Sequence, residues 1–313
     1  MNNRLLSLIN RGYSETDIIE LAAFTEEELE WATNIAFERI SRNCGPVENK
    51  TAIFIGGQPG SGKTVMSMDL KKEIVNAVEI GIDNYRMYHP RYLEIEKCIK
   101  EHWKNRTETE NDTPGNDIAD FTHFFAGAMT DKLMEKCSKL GYNLILEWGM
   151  REPTGPLKSM KELKEKGYNN IVLFVSTHKE ISYEACKQRA DVMFNDNHIV
   201  RKVPQSFHDY SVETISKSVD RIYEEGYRYG IIDYMALVNR KGNVLWDDKH
   251  QTLPGHIYNN YLQNKELSND IENNPYVSYI NSKKEISFIE EKEYTNIYTV
   301  LPLTLMATSS KTR

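Results

Sequence analysis

The run Gly57-Gln58-Pro59-Gly60-Ser61-Gly62-Lys63-Thr64 constrains this chain more than any other stretch. It fits G-x-x-x-x-G-K-[ST]. In that pattern the glycines free backbone N–H groups to wrap a phosphate, the lysine reaches the β- and γ-phosphates, and the threonine hydroxyl ligates Mg²⁺. The flanks agree. Thr51-Ala52-Ile53-Phe54-Ile55 is a short apolar, β-branched run with the pattern of a buried strand, and Thr64 through about Asn76 reads as a helix. The loop would open that helix at its N-terminus, where anions are favoured. The motif does not say where the phosphate goes, because ATPases, GTPases and small-molecule kinases share it.

From Thr51 onward strand and helix patterns alternate. Val78 to Ile82 reads as a second strand ending at Asp83, Asn143 to Glu147 as a third and Asn170 to Val175 as a fourth. Met235 to Trp246 reads as a strand pair turning at Lys241-Gly242-Asn243. Helices are expected over 121–140, 156–166, 180–195 and 209–226. Short apolar strands separated by helices predict an α/β, P-loop NTPase fold, with a mostly parallel sheet and helices on both faces. Ahead of it, residues 1–24 read as a helical extension turning at Gly12. Thr25-Glu26-Glu27-Glu28 is a capping box that opens the next helix. Residues 104–118, polar with Pro114 and Gly115, are expected to form a surface loop. The domains are therefore 1–24, a P-loop body over 25–250 and a C-terminal extension over 251–313. In that extension only Thr295 to Leu305 is strand-like, and Pro302 interrupts it.

The net charge of −7 argues against non-specific nucleic-acid binding, so anionic ligands need a local basic pocket. The four cysteines are far apart and form no C-x-x-C pair, which points to reduced thiols in a cytoplasm. No signal peptide and no apolar run of the ~18–20 residues needed to span a membrane is visible.

Phosphoryl transfer needs a phosphate cradle, a metal, cations on the γ-phosphate and a residue that orients the attacking hydroxyl. In an open parallel sheet these parts sit at the C-terminal ends of strands. Asp83 stands there, either orienting an acceptor hydroxyl or capping the next helix. Glu147 ends the third strand and Arg151 follows it. They can hold Mg²⁺ through water and bind phosphate, or form an ordinary surface ion pair. Arg189 and Arg201 bracket Ala190 to Val200, which reads either as a lid closing on the γ-phosphate or as a solvated stretch between two helix arginines. His89 lines a cleft or serves structure. Trp148 stacks on a ligand or packs in the core.

Together these stretches resemble the zeta-toxin family of P-loop kinases from bacterial toxin–antitoxin pairs. Gly56 to Thr64 matches that family's G-G-Q-P-G-S-G-K-T, and Asp83-Asn84-Tyr85-Arg86-Met87-Tyr88-His89-Pro90 is similar to its D-[ST]-F-[KR]-x-x-H-P. Phe125-Ala126-Gly127 with Met129 is similar to D-F-A-G-x-M. Tyr142-Asn143-Leu144 leading to Glu147 and Arg151 is similar to Y-N-L-x-I-E-G-T-x-R, and Arg201-Lys202-Val203-Pro204 to A-R-A-T-P-K. The resemblance implies ATP and Mg²⁺ as cofactors. It implies Gly57 to Thr64 with Arg151 on the nucleotide, Thr64 and Glu147 on the metal, and Lys63, Asp83, Arg189 and Arg201 in catalysis. It further implies a nucleotide-sugar acceptor, UDP-N-acetylglucosamine phosphorylated at its 3′-hydroxyl, and an antitoxin that blocks the ATP site. Other acceptors (a dinucleotide, a CoA-like compound, an antibiotic) and a non-catalytic role through a partner remain alternatives. The sequence departs from the family at Trp148 and at Gly149, where the family carries Gly and Thr. It also departs in the 104–118 insertion, which falls where the family builds its sugar-nucleotide cleft. Residues 1–23 either dock on the body or meet a partner.

Overall fold

A computed structural model of the chain describes residues 3–109, 112–195 and 201–248. In chain order the elements begin with helices α1 (Asn3–Asn10), α2 (Glu15–Ala22) and α3 (Glu26–Ser41). Next come β1 (Thr51–Gly56), α4 (Lys63–Glu73), β2 (Ala77–Gly81) and a 3₁₀ helix over Ile82–Tyr88. They are followed by α5 (Tyr92–Trp103), α6 (Pro114–Phe121), α7 (His123–Leu140), β3 (Asn143–Glu147), α8 (Thr154–Glu165) and β4 (Asn169–Val175). The series ends with α9 (Lys179–Asn195), α10 (Gln205–Arg228), β5 (Tyr234–Val238) and β6 (Val244–Asp247). The expected strand-like run over Thr295 to Leu305 and the middle of the expected lid, 196–200, lie outside the described residues.

Two compact units share these elements. The second is built, among the described residues, from 44–79, 140–185 and 206–248 and carries the sheet, ordered β2-β3-β1-β4-β5-β6. β1 pairs in parallel with β3 and β4, and β4 with β5, while β6 turns back antiparallel to β5. The expected α/β class therefore holds, with one antiparallel edge. The strands read as continuous apolar runs because both of their faces are buried. Ile53 and Ile55 join Met66 and Leu70 of α4 in one core cluster, while Phe54 between them is equally inaccessible. Strand order reverses around β1, so the loop that follows β1 stands at a topological switch point.

The first unit comprises residues up to 43, 80–139 and 186–205. Leu8, Tyr13 and Ile18 from the N-terminal helices share a cluster with Ile95 and Ile99 of α5 and Ile118 and Phe121 of α6. The expected capping box is present: the Glu28 amide donates to Thr25 Oγ1 and the Thr25 amide to Glu28 Oε2.

One expectation is corrected here. Residues 114–118 are not surface loop but the start of α6, with Thr113 as N-cap and Pro114 in the first turn; Asp117 is fully buried. Pro and Gly mark a turn in isolation, yet Pro fits the first helical turn, where its missing N–H costs nothing. The expected helix over 121–140 is present as α7, starting two residues later at His123, because Phe121 instead ends α6.

Candidate active site

The phosphate-loop side lies within the second unit. Gly57 has φ +148°, and a Cβ there would meet Ser61 Oγ at 2.5 Å and Val175 O at 2.9 Å, so only glycine fits. Gly62 caps α4 at φ +105°, with the Arg240 side chain against it. Lys63 Nζ donates to Gly57 O and Gln58 O at 2.9 and 3.0 Å, folded over the loop it would share with a phosphate. Thr64 Oγ1 lies 3.0 and 3.1 Å from the two Glu147 oxygens. A hydroxyl and a carboxylate side by side are hard oxygen donors, and Mg²⁺ takes one or two such groups while keeping waters and phosphate oxygens. These two residues thus fit that ion.

The turn after β3 carries backbone strain. Met150, 3 % exposed, adopts the left-handed conformation at φ +49°, unusual for a non-glycine residue. Beyond it the Arg151 guanidinium lies 4.6 Å from the Phe207 ring centroid, a cation–π contact. Trp148 packs edge-on against Phe54 at 5.9 Å, so this side chain extends the core at the strand end.

Behind the loop runs a buried polar chain that sequence reasoning missed. Gln58 Nε2 donates to Thr177 O at 2.6 Å and to Ser182 Oγ at 3.3 Å, and Ser182 Oγ lies 2.8 Å from His208 Nε2. Thr177 Oγ1 donates to Ser61 O at 2.8 Å. Burial pushes the His208 pKa down, which keeps the imidazole neutral in this chain. One histidine among eight scattered along the sequence carries no signal of such a role.

The carboxylate side lies within the first unit. Asp83 sits in the first turn of the 3₁₀ helix, two residues past the end of β2. It does not serve as the helix cap, since Gly81 holds that position without a side-chain bond. Arg201 Nη1 donates to its two oxygens at 3.1 and 3.2 Å, and Arg86 Nε to Oδ1 at 2.8 Å. Partial desolvation would raise the Asp83 pKa, but the guanidiniums of Arg201, Arg86 and Arg189 outweigh it and hold the carboxyl down at about 2. The side chain keeps 62 % of its surface in water, so solvent screens these pairs, and the direction of the shift is what the chemistry uses. Arg189 stands exposed on α9. His89 is packed between Phe24 and Phe125, 3 % exposed, with burial pushing its pKa down to about 4, and this makes it a core histidine.

Of the residues singled out from the sequence, Thr64 meets Glu147 and Asp83 meets Arg201. Arg86, quoted from the sequence only as a motif letter, emerges as the carboxylate's closest partner. A mostly parallel sheet with a phosphate loop at its switch point, Lys63 and Thr64 heading the following helix, defines a P-loop nucleotide-binding protein. More particularly, the chain belongs to the zeta toxin family, whose model matches residues 36–251. Toxin PezT of Streptococcus pneumoniae serotype 4 is 29 % identical over 237 residues, covering 75 % of this chain and 86 % of that protein. Toxin zeta of Streptococcus pyogenes is 26 % identical over 225 residues, covering 71 % of this chain and 72 % of that protein. A solved structure from the PezAT chromosomal toxin–antitoxin system of Streptococcus pneumoniae shares the fold, with a TM-score of 0.62 at 23 % identity. It spans 84 % of this chain and 99 % of that one. Among the described residues no helix is long and apolar enough to cross a membrane.

Proposed function

We propose that this chain is an ATP-dependent phosphotransferase that moves the γ-phosphate to a hydroxyl of a nucleotide sugar, with UDP-N-acetylglucosamine as the first acceptor to test. The observation that carries the reading is the Asp83 carboxylate, held ionised by two contacting guanidiniums just past the end of β2. Transfer to an acceptor needs a group that orients the attacking hydroxyl, and a carboxylate held in place and ionised suits that role.

In this reading the loop amides of Gly57 to Gly62 and the Lys63 ammonium bind the nucleotide phosphates, and Arg151 adds a further cation. Thr64 and Glu147 would hold Mg²⁺, which supplies charge neutralisation on the phosphate oxygens. Asp83 accepts a hydrogen bond from the acceptor hydroxyl. The hydroxyl oxygen forms the new O–P bond as the bond from the γ-phosphorus to the β-phosphate oxygen breaks and ADP leaves. A carboxylate with so low a pKa is a weak base, and a loose transition state asks it to orient the hydroxyl first and accept its proton late. Arg189 and Arg201 are assigned to charge that moves off the γ-phosphate.

The catalytic body is assigned to residues 25–250, flanked by extensions over 1–24 and 251–313, in a cytoplasmic protein. Kinship with toxins of toxin–antitoxin systems supports a proteinaceous antitoxin that occupies the nucleotide site.

The test is incubation of the full chain with Mg-ATP and a panel of nucleotide sugars, dinucleotides, CoA compounds and antibiotics, read by mass spectrometry for an added phosphate. A phosphate on UDP-N-acetylglucosamine is the expected result. Phosphate on another panel member would change the acceptor. Tight ATP binding with no phosphorylated member would favour the non-catalytic alternative.

A further inference from the structure

The sequence left residues 1–23 and the insertion at 104–118 without a part in transfer. In the first unit both lead to one side chain, Arg86. This arginine is only 8 % exposed. Its Nε and Nη2 each lie 2.8 Å from Asp83 Oδ1. Its Nη1 donates to Ala119 O at 2.8 Å and reaches Thr122 Oγ1 at 3.4 Å, where that hydroxyl donates in turn to Ile118 O at 2.7 Å. In a 3₁₀ helix residues i and i+3 eclipse, so Asp83 and Arg86 are stacked by the backbone itself. A planar guanidinium with donors committed in two directions cannot turn without losing one set.

The far end of this clamp is itself anchored. Asp117 of α6 accepts hydrogen bonds from Tyr13 OH and Trp103 Nε1, both at 2.6 Å, and pairs with Arg11. Asp120 pairs with Arg11 and, at 2.8 Å, with Arg4 of α1. Within the insertion, Glu108 pairs at 3.1 Å with Lys202, the neighbour of Arg201.

We infer that Arg86 is a positioning residue that fixes the Asp83 carboxylate for the acceptor hydroxyl, and that α6, held by the N-terminal helices, seats it. The inference rests on the reading of Asp83 as the acceptor-orienting group. Three cations face that carboxylate: Arg86 from its own helix, Arg201 from the segment before α10 and Arg189 from α9. Arg86 also ties it to a second element of the unit, by the hydrogen bond to Ala119 O.

The experiment is a carboxyl ¹³C titration of the full-length protein labelled at aspartate, with Asp83→Asn identifying the Asp83 signal. It is run on the wild type, Arg86→Lys and Arg86→Gln, and it needs no acceptor. In the wild type the signal should not titrate above about pH 3.5. In Arg86→Gln it should titrate about one pH unit or more higher, with Arg86→Lys between them. With the acceptor found by the panel, Arg86→Gln should lower kcat roughly tenfold or more while KM for ATP stays unchanged. An unmoved titration in Arg86→Gln, or a change in KM for ATP with kcat intact, overturns the proposal. Should Arg86→Gln fail to fold, Arg86→Lys decides, because one ammonium cannot hold Asp83 and Ala119 O as the fork does. Full turnover in Asp83→Asn would instead remove the reading of Asp83 and leave the titration result standing.

Discussion

The phosphate-loop unit and the carboxylate-bearing unit are held together in different ways. In the loop unit the candidate phosphate-binding loop is one continuous run, though Glu147 and Arg151 join it from β3 and the turn after it. Gly57 to Thr64 is a single run, and the strand before it and the helix after it are set by local apolar pattern. In the other unit the Asp83 carboxylate depends on partners from far along the chain. Asp83 is fixed by Arg201, and by an Arg86 that is itself held by Ala119. The first kind of site is written in a motif, while the second exists only once separate helices have packed. The loop unit should therefore tolerate changes at its periphery, and the carboxylate unit should respond to changes remote from Asp83.

Deleting residues 1–23 is the strongest way to break that contrast. It strips Leu8, Tyr13 and Ile18 from the cluster and leaves Ile95, Ile99 and Phe121 uncovered. A loss of roughly 5 kcal/mol or more is expected from the apolar burial alone. Urea unfolding followed by circular dichroism measures it, and an unchanged midpoint would show that the extension is dispensable.

Next in size is a paired substitution. Lys63→Ala should reduce phosphoryl transfer on the order of 10³-fold, weaken ATP binding and relieve growth arrest on expression. Asp83→Asn should reduce transfer by roughly 10²–10⁴-fold while leaving ATP affinity intact. Titration calorimetry with ATP separates the two; equal loss of affinity in both would collapse the distinction between the units.

Acid offers a smaller probe of the carboxylate unit. The folded pKa of His89, about 4, lies below the ~6.5 of an unfolded histidine. The folded chain therefore binds fewer protons between these values. This contribution is complete above about pH 6.5 and declines as pH falls toward 4, by up to about 3 kcal/mol. The charges that face His89 are Arg91, Glu28 and Glu94. Urea midpoints at pH 7.5 and 5 should differ less in His89→Phe than in the wild type; equal differences would count against this histidine as the source.

Tyr13→Phe should have the smallest effect, removing one hydrogen bond to the buried Asp117 at a cost of about 1–2 kcal/mol by thermal melt. Asp117 keeps Trp103 and Arg11, so the helix should stay in place.

Much of the loop unit was legible because its signals are short-range. The strand–loop–helix order, the hairpin at Lys241-Gly242-Asn243 and the positive φ of Gly57 and Gly62 depend on neighbouring residues. The carboxylate unit was harder to read. Thr113-Pro114-Gly115 signals a turn when judged alone, and only the packing of Ile118 and Phe121 with Leu8, Tyr13 and Ile18 of the N-terminal segment turns that stretch into α6. Arg86 was visible as a letter of a motif, but nothing in the sequence says that its guanidinium reaches across to Ala119 and Thr122. The Gln58–Ser182–His208 chain was silent for the same reason, since its members come from sites 26 and 124 residues apart.

By itself, then, the sequence determined that a strand, a glycine-rich loop and a helix follow one another around Gly57 to Thr64 and that a parallel sheet carries them, because backbone freedom and apolar periodicity are local properties. Tertiary structure alone decided which way the Asp83 carboxylate is held and which charges keep it ionised. Electrostatic and hydrogen-bond partners act over a few ångströms of space, whatever their separation along the chain.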